Sequence, residues 1–340
     1  MKSKILYVGN KLMKHGYNPT SIETLGERLK ADHHVFQTSS QKIYALRLLD
    51  MWFTIFKYRK QVKAVVIDTY GSRAFHYAWT SARVCRWLKL KYIPILRGGE
   101  LPLRIKKDEK ISRSFAQNAH VLIAPSGFLA ESFRQFTDKV MVIPNFIDLA
   151  NYPFKQRTAM DQIRILWVRS MQGLYQPELA VEVVHELKKQ GLDVSMAMVG
   201  PDKDGSLAVC QALAKTLDVE QEVTFTGRLA KEDWIALSAN YDVFLNTTSV
   251  DNTPVSVMEG MALGMPVVTT KVGGIPFLFE DGVEGVMVPE QTAQALARAI
   301  ADFQRDPDRM KEISTAAREK AKAWDWPVVR EQWNTVLNAC

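Results

Sequence analysis

The chain has 340 residues, 47% hydrophobic and 24% charged, which is enough for two ordinary domains, each with its own core. It has no apolar run near the roughly 20 residues needed to cross a bilayer. Its three cysteines, Cys85, Cys210 and Cys340, are too far apart to form a metal-ligand motif, so a reducing cytoplasm is the expectation, and Cys85 and Cys210 read as core residues. The net charge of +7 divides unevenly. Residues 1–150 carry 25 Lys+Arg against 11 Asp+Glu, a net +14; residues 151–340 carry 19 against 26, a net −7. An anionic partner would therefore belong to the first part: a membrane surface, a phosphorylated substrate or nucleic acid. The plain alternative is a solvated basic face.

Along the chain, short β-branched runs alternate with helical patterns. The start, "KILYVG" (4–9), has too short an apolar core for a signal peptide and reads as a first strand. His33 and His34 read as a surface turn. The segment "QKIYALRLLDMWFTIFKYRKQVKA" (41–64) reads as an amphipathic helix. Its apolar face holds Leu48, Met51, Trp52, Ile55 and Phe56, followed by Lys57, Arg59 and Lys60. Such a helix either rests on an anionic membrane or covers the first sheet. Strands follow at 64–70, 92–97, 121–126 and 140–145, with a basic cluster at 101–113. The second part repeats the style, with strands at 163–168, 194–200, 223–227, 241–247, 266–270 and 285–289 and a helix over 177–190. Apolar strands alternating with helices imply parallel sheets covered on both faces. Two such sets predict an α/β chain of two Rossmann-like domains, residues 1–150 and 151–324, with a helix from 325–340 returning to the first. Ligands of such sheets bind beyond the C-terminal strand ends. The Gly-, Pro-, Asn- and Asp-rich loops lie there, and those of the two domains would face one cleft.

One of these loops carries the strongest signal. In "NTTSVDNTPVSVMEGMALG" Thr253 suits an N-cap, Pro254 the first helical position and Gly264 the stop. The open N–H groups of Val255, Ser256 and Val257, aided by the helix dipole, suit a phosphate. Asp251 before the helix and Glu259 inside it can then border one ligand, each accepting bonds from sugar or ribose hydroxyls. The plain alternative is a capped core helix with Glu259 satisfied by a nearby Arg or backbone group. Asp202 and Asp204 in "PDKDG" have D-x-D spacing but read as a turn, since Leu213 stands where a calcium loop would close with Glu. No G-x-G-x-x-G fingerprint follows the first strand, which disfavours a dehydrogenase. No aromatic-basic motif supports nucleic-acid binding.

Asp251, seven residues, Glu259 and then "GMALGMPVVTTKVGGIP" resemble the E-x7-E region of the retaining glycosyltransferases of family 4, which have the GT-B fold. "VMVIPNFID", "VLIAPSGFLAESF", "AMVGPDKDG" and "VTFTGRL" resemble further segments of that family, so the resemblance covers nearly the whole chain. It implies retaining, metal-independent transfer from a nucleotide-sugar co-substrate, with no other cofactor. Glu259 would accept bonds from the ribose, Asp251 would meet the transferred sugar, and Arg169 would pair with the diphosphate. Asn252, Thr253, Pro254, Val255 and Ser256 would line the donor, Gly200 would end a donor-side strand, and Arg228 would lie near the base. Gly16 would let backbone approach the diphosphate or acceptor. The sequence departs from the family at three places. Asp251 is one methylene shorter than the usual glutamate, Tyr175 stands near a usual lysine, and Arg97 stands roughly where many members have histidine. The implied acceptor is a glycan or lipid-linked glycan in surface polysaccharide or glycoconjugate synthesis. The implied place is the cytoplasm, peripheral at the inner face of the cell membrane. A non-catalytic sugar-nucleotide- or glycan-binding subunit of the same fold is the competing reading.

Overall fold

A computed structural model describes residues 2–17 and 19–340. Its contacts divide the chain into two compact units. One comprises residues 1–144 with 329–340, the other residues 145–328.

The first unit holds six parallel strands: β1 (Lys4–Val8), β2 (His34–Thr38), β3 (Ala64–Tyr70), β4 (Lys91–Arg97), β5 (Leu122–Ala124) and β6 (Val140–Val142). They lie in the order β2-β1-β3-β4-β5-β6. The second holds β7 (Ile163–Val168), β8 (Val194–Val199), β9 (Val223–Gly227), β10 (Val243–Asn246), β11 (Val267–Thr270) and β12 (Val286–Val288), in the order β12-β11-β10-β7-β8-β9. This second order is that of a dinucleotide-type doubly wound sheet. Strands such as Ile163–Val168 and Ala64–Tyr70 are buried almost throughout, as helices on both faces require. All eleven expected strands form.

The twelfth, β2, replaces the turn expected at His33 and His34. His34 begins the strand, while His33 is buried and bonds the Asn334 side chain at 3.0 Å. A pair of histidines reads as polar, yet only one of them faces water here.

The helix Tyr44–Tyr58 corrects a second expectation. Met51 and Ile55 are buried and Leu48 packs beside them, so these three residues of the expected face cover the sheet, whereas Phe56, counted with them in the sequence, is exposed. A separate stripe, Leu46, Leu49, Phe53 and Phe56, faces solvent with Lys57 and Lys60 beside it. This helix is apolar on two sides, which amphipathic counting along one face does not reveal. In the basic segment 101–113, Arg104 pairs with Asp108 at 2.9 Å and Arg113 with Glu109 at 2.7 Å, so part of its charge is neutralised locally.

Candidate functional site

Strand order reverses where β7 lies beside β10, and a doubly wound sheet opens its ligand crevice at such a point. The residues that leave these two strands are Arg169 and the loop 247–254. The loop after β10 is tied to the segment that follows Arg169. Thr247 Oγ1 accepts from Trp167 Nε1 at 3.0 Å and donates to the Tyr175 carbonyl at 2.8 Å. The Ser249 N–H donates to the Leu174 carbonyl at 3.0 Å. The Tyr175 ring is thereby fixed against the Arg169 guanidinium, 4.4 Å from carbon to centroid. Tyr175 thus stacks on the cation instead of offering only a hydroxyl near it.

Two glycine sites explain how the loops approach so closely. A Cβ on Gly200, at the end of β8, would overlap the Arg169 carbonyl oxygen. The pair Gly273–Gly274 lies against the backbone of Asp251 and Asn252, where any side chain would overlap their carbonyls, and the Gly274 N–H donates to the Asp251 carbonyl at 2.9 Å. Gly200 and the "GG" turn therefore act by making room for Arg169 and Asp251.

The helix after the loop runs Val255–Ala262. Pro254, with ψ 111°, is its N-cap, one residue later than expected, and Gly264 closes the helix at φ 73°. The Val257 N–H turns back to the Pro254 carbonyl at 3.1 Å. Val255 and Ser256 thus supply the N–H groups of the open end, two instead of three. The Asn145 side chain donates to the Thr253 carbonyl at 3.3 Å and pins the loop from the chain's entry into this unit.

Both carboxylates have protein partners. Arg169 forms an ion pair with Asp251. Glu259 is buried and its Oε1 receives the Tyr152 hydroxyl at 2.8 Å and the Lys231 ammonium at 2.6 Å. Burial, with Glu259 beside it, holds the Tyr152 hydroxyl far above the usual tyrosine range. Burial also presses the Arg169 guanidinium below its ordinary value, against the pull of Tyr175 and Glu259. The "nearby Arg or backbone group" envisaged for Glu259 is thus a lysine and a tyrosine. Lys231 opens the helix Lys231–Leu237, three residues beyond Arg228, which follows β9. Neither Lys231 nor Tyr152 was singled out in the sequence. Lys231 stands in "GRLAKED", a stretch read only for the base.

Gly16 and Arg97 lie in the other unit. Gly16 is exposed and ends a short turn at φ 83°. Arg97 ends β4, with Nε 3.8 Å from Asp68 Oδ1, which also accepts the Tyr7 hydroxyl at 2.9 Å. Burial pushes the Asp68 carboxyl up to about 6, against the pull of Arg97, Tyr7 and the backbone at Ile22. Asp68 and Tyr7 also escaped the sequence reading.

Asp202 and Asp204 form the expected turn: they accept the N–H groups of Gly205 at 3.0 Å and Ser206 at 3.3 Å. No group of three metal-ligating side chains occurs among the described residues. Burial raises the Cys85 and Cys210 thiols to about 12, which suits core residues. No helix among the described residues is long and apolar enough to cross a membrane.

Comparison with known proteins agrees with this geometry. Residues 149–320 match the family model "Glycosyl transferases group 1", and residues 5–151 match "Glycosyltransferase Family 4". The putative colanic acid biosynthesis glycosyltransferase WcaL of Salmonella typhimurium is 31% identical over 214 residues, 59% of this chain and 51% of the relative. The amylovoran biosynthesis glycosyltransferase AmsK of Erwinia amylovora is 30% identical over 272 residues, 73% and 64% of the two chains. The chain thus spans between about half and two thirds of the length of these relatives. Anabaena Alr3699/HepE, solved with UDP, superposes with a TM-score of 0.78 over 100% of both chains at 18% identity, and it has also been solved with UDP-glucose. That likeness identifies the fold as GT-B.

Proposed function

The chain belongs to the group 1 glycosyl transferases, and from that premise we propose that it moves a sugar from a nucleotide-sugar to a glycan or lipid-linked glycan in surface polysaccharide or glycoconjugate synthesis. The observation that carries this reading is the convergence of Arg169, Glu259 and an open helix start at the β7/β10 reversal. Departure of a nucleoside diphosphate leaves negative charge on phosphate and positive character at the sugar. Arg169 offers a planar fork to the phosphate, and the N–H groups of Val255 and Ser256 add dipoles aimed at the same charge. These protein cations and dipoles support metal-independent transfer. In this reading Glu259 accepts ribose hydroxyls and Asp251 meets the sugar. The family habit of retaining anomeric configuration is carried over to this chain as part of the proposal.

The relatives' names favour a polysaccharide acceptor, and UDP in Alr3699/HepE makes a uridine donor a reasonable first trial. The first unit would take the acceptor. Its solvent-facing stripe Leu46, Leu49, Phe53 and Phe56, flanked by lysines, suits an anionic membrane and supports work at the inner face of the cell membrane.

Transfer and donor hydrolysis measured with UDP- and GDP-sugars test this reading. The wild type should turn over. Glu259→Ala should lose about 10²-fold in kcat/KM, since a hydrogen bond from the donor to a charged group is worth about 1.5–3 kcal/mol. Tight binding of a nucleotide-sugar without any turnover would instead make the chain a sugar-nucleotide-binding subunit.

A further inference from the structure

Arg169 and Asp251 are both mostly withdrawn from water, with 17% and 16% of their side chains exposed. A buried guanidinium left without an anion is costly, so the protein itself must supply one whenever no ligand does. Glu259 is near enough to pull on the guanidinium, but its Oε1 already holds Lys231 and Tyr152. Asp251 is placed to serve. Its Oδ1 accepts the Asn252 N–H at 2.8 Å, its backbone is fixed by Gly274, and its Oδ2 meets Arg169.

We propose that Asp251 is an internal anion that holds Arg169 until a nucleoside diphosphate displaces it, so that donor binding exchanges one anion for another on the same guanidinium. The inference rests on the reading above, in which Arg169 receives the diphosphate. The exchange runs toward the ligand because Asp251 presents Arg169 with a single oxygen. A diphosphate presents several, can engage both arms of the fork, and also meets the open N–H groups of Val255 and Ser256. Asp251 is released only when the diphosphate has arrived, which turns it to the sugar hydroxyls after the donor is seated. The short acid fits this role. Its reach is limited to the arginine until the arginine is taken away.

Asp251→Asn tests the exchange with UDP and with GDP. Neither carries a sugar, so lost sugar contacts cannot enter. Calorimetry should give about tenfold tighter binding of whichever nucleotide the wild type binds. The ligand-free variant should melt lower than wild type, and its rise in Tm with ligand should be larger. Asp218→Asn, the same charge change at an exposed site paired with Lys188, should leave nucleotide affinity unchanged. Equal affinity in wild type and Asp251→Asn overturns the proposal. So does tighter binding with an unchanged ligand-free Tm, since that marks simple repulsion between Asp251 and phosphate. Failure of both nucleotides to bind the wild type at millimolar concentration overturns the donor reading itself, and the exchange falls with it.

Discussion

The two sheets reach a reversal of strand order with opposite chemistry. Between β1 and β3 the first unit buries a carboxyl, Asp68, under Tyr7 and beside Arg97. Burial acts on it first and the cation second, so its proton is held to about pH 6. Between β7 and β10 the second unit gives each carboxylate a cation of its own, Arg169 for Asp251 and Lys231 for Glu259, and Lys231 remains 53% exposed. One reversal point is sealed; the other is ready to trade partners. A sealed carboxyl makes stability depend on pH, whereas one paired with an exchangeable cation makes ligand affinity depend on displacement.

Asp68→Asn should give the largest effect on the sealed side. The folded chain keeps the Asp68 proton up to about pH 6, while the unfolded chain releases it near 3.8. Across that window the native state binds more protons, so stability falls as pH rises and the cost is constant above it. The Asn variant does not titrate there. Its stability relative to wild type should therefore climb from pH 4 to pH 6, by at most about 3 kcal/mol, and then level off. Urea denaturation at a series of pH values reads this directly. A difference that does not change with pH would mean that Asp68 is ionised throughout and that the two reversal points are alike.

Gly200→Ala probes the other side through its backbone alone. The new Cβ must displace the Arg169 carbonyl and with it the side chain that carries the site. A shift of about 1 Å at such a position is worth about 10²-fold in rate, so kcat/KM should fall by that order. Gly191→Ala is the companion variant. Gly191 also has positive φ, at 76°, but a Cβ there meets nothing within 4 Å, so it should cost about 1 kcal/mol of stability and leave transfer intact. Equal activities in the two variants would dissociate Arg169 from the reaction.

The contrast between the units was only half legible in the sequence. Strands buried on both faces announce themselves by composition, and Ala64–Tyr70 and Ile163–Val168 emerge with the expected bounds. The loop 247–254 and the helix after it were legible because Pro254 and Gly264 act locally, although the cap fell one residue later than expected. The partners of its acids were not. Tyr152 is 107 residues from Glu259 and Lys231 is 28 away, and neither distance leaves a mark in local spacing. Asp68 sits inside an apolar strand, where only the fold reveals Tyr7 and Arg97. β2 was missed because paired histidines and Gln37 mask a strand with few fully buried positions.

The last difference between the units lies on their surfaces. Exposed large apolar residues of the second unit, such as Leu174, Val209, Phe277 and Val283, are scattered along the chain, which is ordinary for a soluble surface. In the first unit Met13, Tyr17, Trp87, Leu103, Met141 and Val142 are scattered too, but Leu46, Leu49, Phe53 and Phe56 stand three and four residues apart on one stripe of the helix Tyr44–Tyr58. A stripe with lysines at its end inserts side chains while its cations meet lipid phosphates, so both terms must act together. Phe53 is 65% exposed and Leu49 56%, so changing either should leave folding unaltered. Moving one large side chain out of water is worth about 1.5–3 kcal/mol, of which a partly inserted residue realises a fraction, so Phe53→Glu should lower partitioning to anionic vesicles about tenfold. Co-sedimentation with phosphatidylglycerol vesicles at low and high salt measures it. Wild-type binding that weakens with salt, and a further loss in Phe53→Glu, would establish that the basic unit is the membrane-facing one. Binding that is insensitive to salt, or equal in both proteins, would reduce the stripe to bare surface and leave the second unit's charge pairs as the chain's main functional asymmetry.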